Sequence, residues 1–167
     1  AIEAIYSLRR RLGSRLKIFV ADRESRGPCS TYAFFSRHVD MRLVYPDPLT
    51  KGNEFIKWIM EITRKFNIDV IMPILEKTMY LISSVKRDLE SQGIIIPIPD
   101  KYQLELVMYK DKLIELANKI GIPTPRTMII KDLKDLKRIS RELNYPVIIK
   151  LRHEIGASPP RYAIAYN

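Results

Sequence analysis

The sequence predicts an α/β protein: a mostly parallel sheet first, then a smaller α+β unit. Two observations carry this expectation. Through the first hundred residues, short apolar segments alternate with helix-length amphipathic ones. Strands separated in that way are joined by crossovers, so they lie parallel in right-handed βαβ units. Beyond residue 100 the order becomes helix, proline-rich extended segment, strand, helix, strand, loop, strand. The expected domains are residues 1–100 and residues 101–167.

Residues 2–12 predict a helix, because Ile2, Ile5, Leu8 and Leu12 recur at helical spacing. Residues 17–22 predict a buried strand that ends in Asp22. The polar stretch after it, with Gly27, Pro28 and Ser30, has loop chemistry. A short helical turn is expected over 32–36, and a second strand over 41–45, closed by Pro46 and Pro48. Residues 53–66 predict a helix whose apolar face holds Phe55, Trp58, Ile59, Ile62 and Phe66. Trp58, Tyr80 and the phenylalanines sit at helical spacing and read as core. Segment 69–74 is apolar enough to predict a strand buried on both faces. A helix over 77–91 and a short strand over 94–98 follow. Such a pattern ordinarily opens on a strand and a Gly-rich turn. This one opens on a helix, so a first strand is expected outside the sequence given.

Residues 102–109 and 112–120 predict two helices, the second stopped by Gly121. Pro123 and Pro125 force 122–125 to be extended. A strand is expected over 127–130. Asp132 is placed to cap a helix over 133–143. Strands over 145–150, ending in Lys150, and over 162–165 complete the order.

Composition narrows the function classes. At 46% hydrophobic and 29% charged, the 167 residues can bury a core and do not resemble a disordered chain. No apolar run approaches the roughly 20 residues of a membrane span. The basic amphipathic start lacks the apolar stretch of a signal peptide, so a cytoplasmic location is expected. Cys29 is the only cysteine, and His38 and His153 are far apart, which argues against a disulfide and a His/Cys metal site. A net charge of +10 raises the question of nucleic acid. The basic residues are spread along the chain and mixed with acids, as in Lys131-Asp132-Leu133-Lys134-Asp135, which argues against it.

The segment with the most chemistry runs from Lys110 to Lys150. It reads Asp111-Lys112, a helix, Gly121-Ile122-Pro123-Thr124-Pro125, a strand and helix, then Tyr145-Pro146-Val147-Ile148-Ile149-Lys150. In these elements and their order the chain resembles the ATP-grasp superfamily of ligases, which includes biotin carboxylase and the large subunit of carbamoyl-phosphate synthase. The resemblance implies a Rossmann-like pre-ATP-grasp domain over 1–100 and the first part of an ATP-grasp α+β domain over 101–167. It covers nearly all of this chain but only about the first half of such an enzyme.

The implied cofactors are ATP and Mg²⁺. Lys150 is expected to contact the α/β-phosphates, and Lys112 to reach phosphate from the facing element. A lysine at a strand end acts there as a point charge on rigid backbone. The loop after Lys150 takes the place of a glycine-rich phosphate flap, which makes Gly156, Ser158 and Arg161 further cofactor-binding candidates. Pro159 and Pro160 depart from that pattern, since proline removes backbone N–H donors. Ligands of parallel sheets lie outside the carboxyl ends of the strands. That makes Asp22, Arg23, Ser30 and Glu76 substrate-binding candidates. Nothing here resembles a dinucleotide fingerprint.

The resemblance thus implies the N-terminal part of a ligase that activates a carboxylate or bicarbonate as an acyl-phosphate for attack by an amine or ammonia. Catalytic residues are not assigned. The magnesium ligands are expected in the family's C-terminal subdomain, outside this sequence, and the 167 residues alone are expected to be inactive. The partners are ATP and a small carboxylate, with room for a homo-oligomer and no membrane. The alternative from another class is a non-catalytic nucleotide- or ligand-binding module, or a half-subunit completed by a partner chain.

Overall fold

The computed structural model describes residues 2–24, 31–154 and 162–167. It divides into two units, Ala1–Ile98 and Pro99–Asn167.

In the first unit, α1 spans Ile2–Leu12 and leads through a 3-10 turn, Gly13–Arg15, to β1, Phe19–Arg23. A second 3-10 turn, Tyr32–Phe35, precedes β2, Met41–Tyr45. The two strands pair in parallel, from Phe19 opposite Met41 to Arg23 opposite Tyr45. Helix α1 buries Ile5 against Ile18 and Ala33, with Leu8, Leu16, Val20 and Val39 around them. The chain then forms α2, Gly52–Lys65, α3, Glu76–Ser84, and α4, Lys86–Glu90. Helix α2 turns Phe55 and Trp58 towards Tyr45, whose ring meets theirs edge-on at 5.2 and 5.7 Å. Around them Ile82, Leu89, Ile94, Ile96 and Ile98 close the larger core.

The segment expected as a strand buried on both faces, 69–74, is a correction. It makes one isolated parallel bridge, Val70 to Ile95, and among the described residues it joins no ladder. Val70, Met72 and Ile74 are 45%, 53% and 60% exposed, whereas Ile71 packs on the core. Pro73 has no N–H to give a ladder, and among the described residues no element covers the outer face. Segment 94–98 behaves alike. Ile94, Ile96 and Ile98 point inward, Ile95 points out, and Pro97 interrupts pairing. The helix expected over 77–91 breaks at Val85 into α3 and α4. Ser83 and Ser84 donate back to the carbonyls of Tyr80 and Leu81 at 2.7 and 2.6 Å, a competition that loosens a helix.

In the second unit, α5, Lys101–Met108, begins where the Asp100 N–H donates to the Gln103 side chain at 3.1 Å. It is followed by α6, Lys110–Lys119. Gly121, at φ +78°, ends α6, and the Ile122 N–H returns to the Ala117 carbonyl at 2.9 Å. Residues 127–130, expected as a strand, form none, because among the described residues no ladder partner meets their backbone. Asp132 caps α7, Leu133–Ile139, by accepting from the Asp135 N–H at 2.8 Å. The helix is shorter than the expected 133–143. Strands β3, Val147–Lys150, and β4, Tyr162–Ala165, pair antiparallel, with Lys150 opposite Tyr162. Parallel pairing in the first unit and a small α+β second unit agree with the predicted class.

Candidate functional site

Lys112 lies in the first turn of α6. Tyr109, in extended backbone, sets where that helix starts, and its carbonyl accepts the first helical bond from Leu113 N–H at 2.9 Å. The Lys112 ammonium stands 5.0 Å from the centre of the Tyr109 ring and 3.7 Å from the Glu105 carboxylate. Lys150 is the last residue of β3, exposed, and among the described residues it makes no ion pair. Lys150 therefore keeps its charge available to an anion, whereas Lys112 shares its charge with Glu105.

The structure brings the two lysine-bearing elements together. The Lys110 N–H donates to the Arg152 carbonyl at 2.9 Å, which ties the start of α6 to the chain leaving β3. Arg152 Nε donates to Asp111 Oδ2 at 2.8 Å, and Lys110 Nζ lies 2.9 Å from Glu154 Oε1. The Arg152 guanidinium also sits 5.0 Å from the centre of the Tyr109 ring, and the His153 ring meets Tyr109 edge-on at 5.3 Å. Hydrogen bonding from Arg152 holds the Asp111 carboxyl below its ordinary range, and the same bond raises Arg152.

Sequence reasoning singled out the lysines but not Tyr109, Lys110, Asp111, Arg152 or Glu154 as parts of a site. A signal was present: Lys110-Asp111 and Arg152-His153-Glu154 carry charges of complementary order. The candidates Gly156, Ser158 and Arg161 lie outside the described residues, as does Ser30.

Of the substrate candidates, Asp22 and Arg23 share the carboxyl end of β1. Asp22 is buried, and its Oδ1 accepts from the Arg23 N–H at 2.8 Å. The Arg23 guanidinium reaches Asp47 at 3.5 Å, while among the described residues its Nε has no hydrogen-bond partner. Asp47 holds the turn after β2 by accepting from the Leu49 N–H at 2.9 Å. Lys51 and Glu24 pair beside it at 2.7 Å, which lowers the Glu24 carboxyl and raises Lys51. Asp47, Lys51 and Glu24 were not singled out by the sequence. Glu76 opens α3, exposed, where its charge complements the helix dipole. Among the described residues no hydrogen bond or ion pair joins it to Asp22 or Arg23.

Among the described residues, no group of three or more His, Cys, Asp or Glu side chains is arranged to hold a metal ion. No helix among them is long and apolar enough to cross a membrane. An open basic hollow on α7 and the turn after it, lined by Lys134, Lys137, Arg138, Arg141 and Glu142, contains neither site lysine.

No protein-family model matches the chain. The formate-dependent phosphoribosylglycinamide formyltransferase of Prochlorococcus marinus is 26% identical over 141 residues, which are 83% of this chain and 32% of that protein. The carbamoyl phosphate synthase large chain of Methanothrix thermoacetophila is 26% identical over 76 residues, 43% of this chain and 7% of that protein. Among solved structures, the chain matches the biotin carboxylase domain dimer of Hydrogenobacter thermophilus 2-oxoglutarate carboxylase, in complex with MgADP, ADP and bicarbonate. The TM-score is 0.68 at 21% identity, over 99% of this chain and 35% of that one. The chain thus spans about a third of the length of the formyltransferase and of the carboxylase domain.

Proposed function

The chain has the ATP-grasp ligase fold over part of that fold's length, and from this we propose that it forms the N-terminal part of an ATP-dependent ligase. Residues 1–100 are its pre-ATP-grasp domain, and residues 101–167 begin its ATP-grasp domain. The observation that carries the reading is the joint between α6 and the exit of β3. It sets two lysine-bearing elements side by side within this fold, with Lys150 exposed and Lys112 half-buried beside Glu105.

In the proposed reaction, a carboxylate or bicarbonate oxygen attacks the γ-phosphorus of ATP. The bond to the β-phosphate oxygen breaks, and ADP leaves. An amine or ammonia then attacks the carbonyl carbon of the acyl-phosphate, inorganic phosphate leaves with the bonding pair, and the nitrogen gives up a proton to the departing phosphate or to water. Phosphoryl transfer demands positioning and charge neutralisation more than covalent help. Lys112 and Lys150 supply both, as cations held on a helix turn and a strand end. Gly156, Ser158 and Arg161 are proposed to add contacts from the loop after Lys150. Magnesium, when bound, neutralises phosphate charge. The described residues offer it no carboxylate cluster, so its ligands are proposed to come from the remainder of the ligase. Asp22, Arg23, Ser30 and Glu76 are proposed to face the second substrate.

The names of the similar proteins mention formate, bicarbonate and carbamoyl phosphate, all built on one carbon. A small acid of that kind is the first substrate to try. The test is carboxylate-dependent release of ADP from MgATP by the whole ligase of which residues 1–167 are proposed to be the N-terminal part. Release that depends on one small acid and falls at least ten-fold in Lys150→Ala is expected. Nucleotide binding without release under any acid would favour a non-catalytic binding module. Residues 1–167 alone are expected to bind nucleotide weakly and to release no ADP.

A further inference from the structure

We propose that Tyr109 and the Arg152–Asp111 ion pair form a latch that sets the positions of Lys112 and Lys150, and so governs affinity for the nucleotide polyphosphate without touching it. The proposal rests on the reading of the two lysines as phosphate contacts.

The latch joins parts of the chain that are distant in sequence. Arg152 and Asp111 are 41 residues apart, and Lys110 and Glu154 are 44 apart. Asp111 is the immediate neighbour of Lys112, and Arg152 lies two positions after Lys150. Any shift between residues 109–112 and 152–154 therefore shifts one site lysine against the other.

The Tyr109 ring is the hub. It takes the Lys112 ammonium and the Arg152 guanidinium, each 5.0 Å from its centre, and the edge of His153. Cations are drawn to aromatic faces, so the ring holds one group from each side of the joint. The charges of the latch are matched internally, Arg152 with Asp111 and Lys110 with Glu154. Among the described residues Lys150 is left without an ion pair, while Lys112 lies 3.7 Å from the Glu105 carboxylate. This distribution suits positioning by the latch and phosphate contact by the lysines. Arg152 is 58% exposed and Asp111 19%, and an ion pair open to solvent on one side contributes modestly to overall stability. Position matters more, because a hydrogen bond to phosphate weakens steeply once its distance and angle leave the ordinary range.

The experiment is calorimetric titration of the whole ligase containing residues 1–167 with MgADP, together with thermal unfolding of each variant. Arg152→Ala, Asp111→Ala and Tyr109→Leu should each weaken binding about ten-fold, with melting temperatures close to the parent. Tyr109→Phe, which keeps the ring, should bind like the parent. The reversed pair, Asp111→Arg with Arg152→Asp, should recover most of the lost affinity. A reversed pair as weak as Arg152→Ala would mean that Arg152 meets phosphate itself, and would overturn the latch. Parent-like affinity in Arg152→Ala and Tyr109→Leu would overturn it too. Lys150→Ala, in the same series, keeps the two ideas apart. If it binds like the parent, the phosphate reading fails. If it alone weakens binding, that reading stands and only the latch falls.

Discussion

Asp40 ties the entry of the first unit together. It accepts from the Ile18 backbone N–H at 2.7 Å and from Arg9. Arg9 in turn donates to the carbonyls of Gly13, Leu16 and His38, so α1, the turn after it and the approach to β2 share one guanidinium. The bond from Ile18 and then that from Arg9 hold the Asp40 carboxyl below its ordinary value. A carboxyl lowered by folding gives stability that is fully present above its unfolded pKa, about 3.9. That stability is lost as pH falls through the lowered folded value. Asp111, lowered chiefly by Arg152, follows the same sign. Carboxyl titration by NMR should place both midpoints below the unfolded value. Asp40→Ala should lower stability by about 1 kcal/mol in denaturant unfolding, since the Ile18 N–H and Arg9 lose a charged acceptor that is itself partly open to solvent. None of this was legible in the sequence, because Arg9 and Asp40 are 31 residues apart and no local pattern links them.

Among the elements, those defined by their own spacing were readable. Ile2, Ile5 and Leu8 announce α1, and Phe55, Trp58 and Ile59 announce α2, because side chains three and four apart share a helix face. Gly121 was readable as the stop of α6, since its left-handed backbone suits glycine. A Cβ at position 121 would meet nothing within 4 Å, so the cost of substitution is conformational alone. Gly121→Ala should cost about 1–2 kcal/mol, and Gly121→Asn less, because asparagine tolerates this region better. Thermal unfolding of the two variants tests the order. Segments 69–74, 94–98 and 127–130 read as strands from their apolar β-branched content, yet they form no ladder. Pairing depends on which backbone lies alongside, and a local pattern does not encode that. Nor did it reveal that Ser83 and Ser84 would turn on their own helix.

At the scale of the molecule, two units carry two polar clusters. The Asp22–Arg23–Asp47 group closes the strand ends of the first, and the Tyr109 joint organises the second. The larger core of the first unit centres on Phe55, with Leu89 also fully buried. Phe55→Ala should lower stability by about 3–5 kcal/mol, enough to unfold a marginal domain. The family resemblance marked Lys112 and Lys150, which stand at a helix start and a strand end. It could not mark the contacts between those elements, which exist only once 109–112 and 152–154 meet. On the proposed function, these two lysines bind the phosphates of a nucleotide. The most direct test is MgADP affinity of the whole ligase containing residues 1–167 compared with its Lys112→Ala and Lys150→Ala variants. A bond to a charged group contributes about 1.5–3 kcal/mol, so each variant should bind at least about ten-fold more weakly while keeping its melting temperature. Equal affinity across all three proteins would contradict the account.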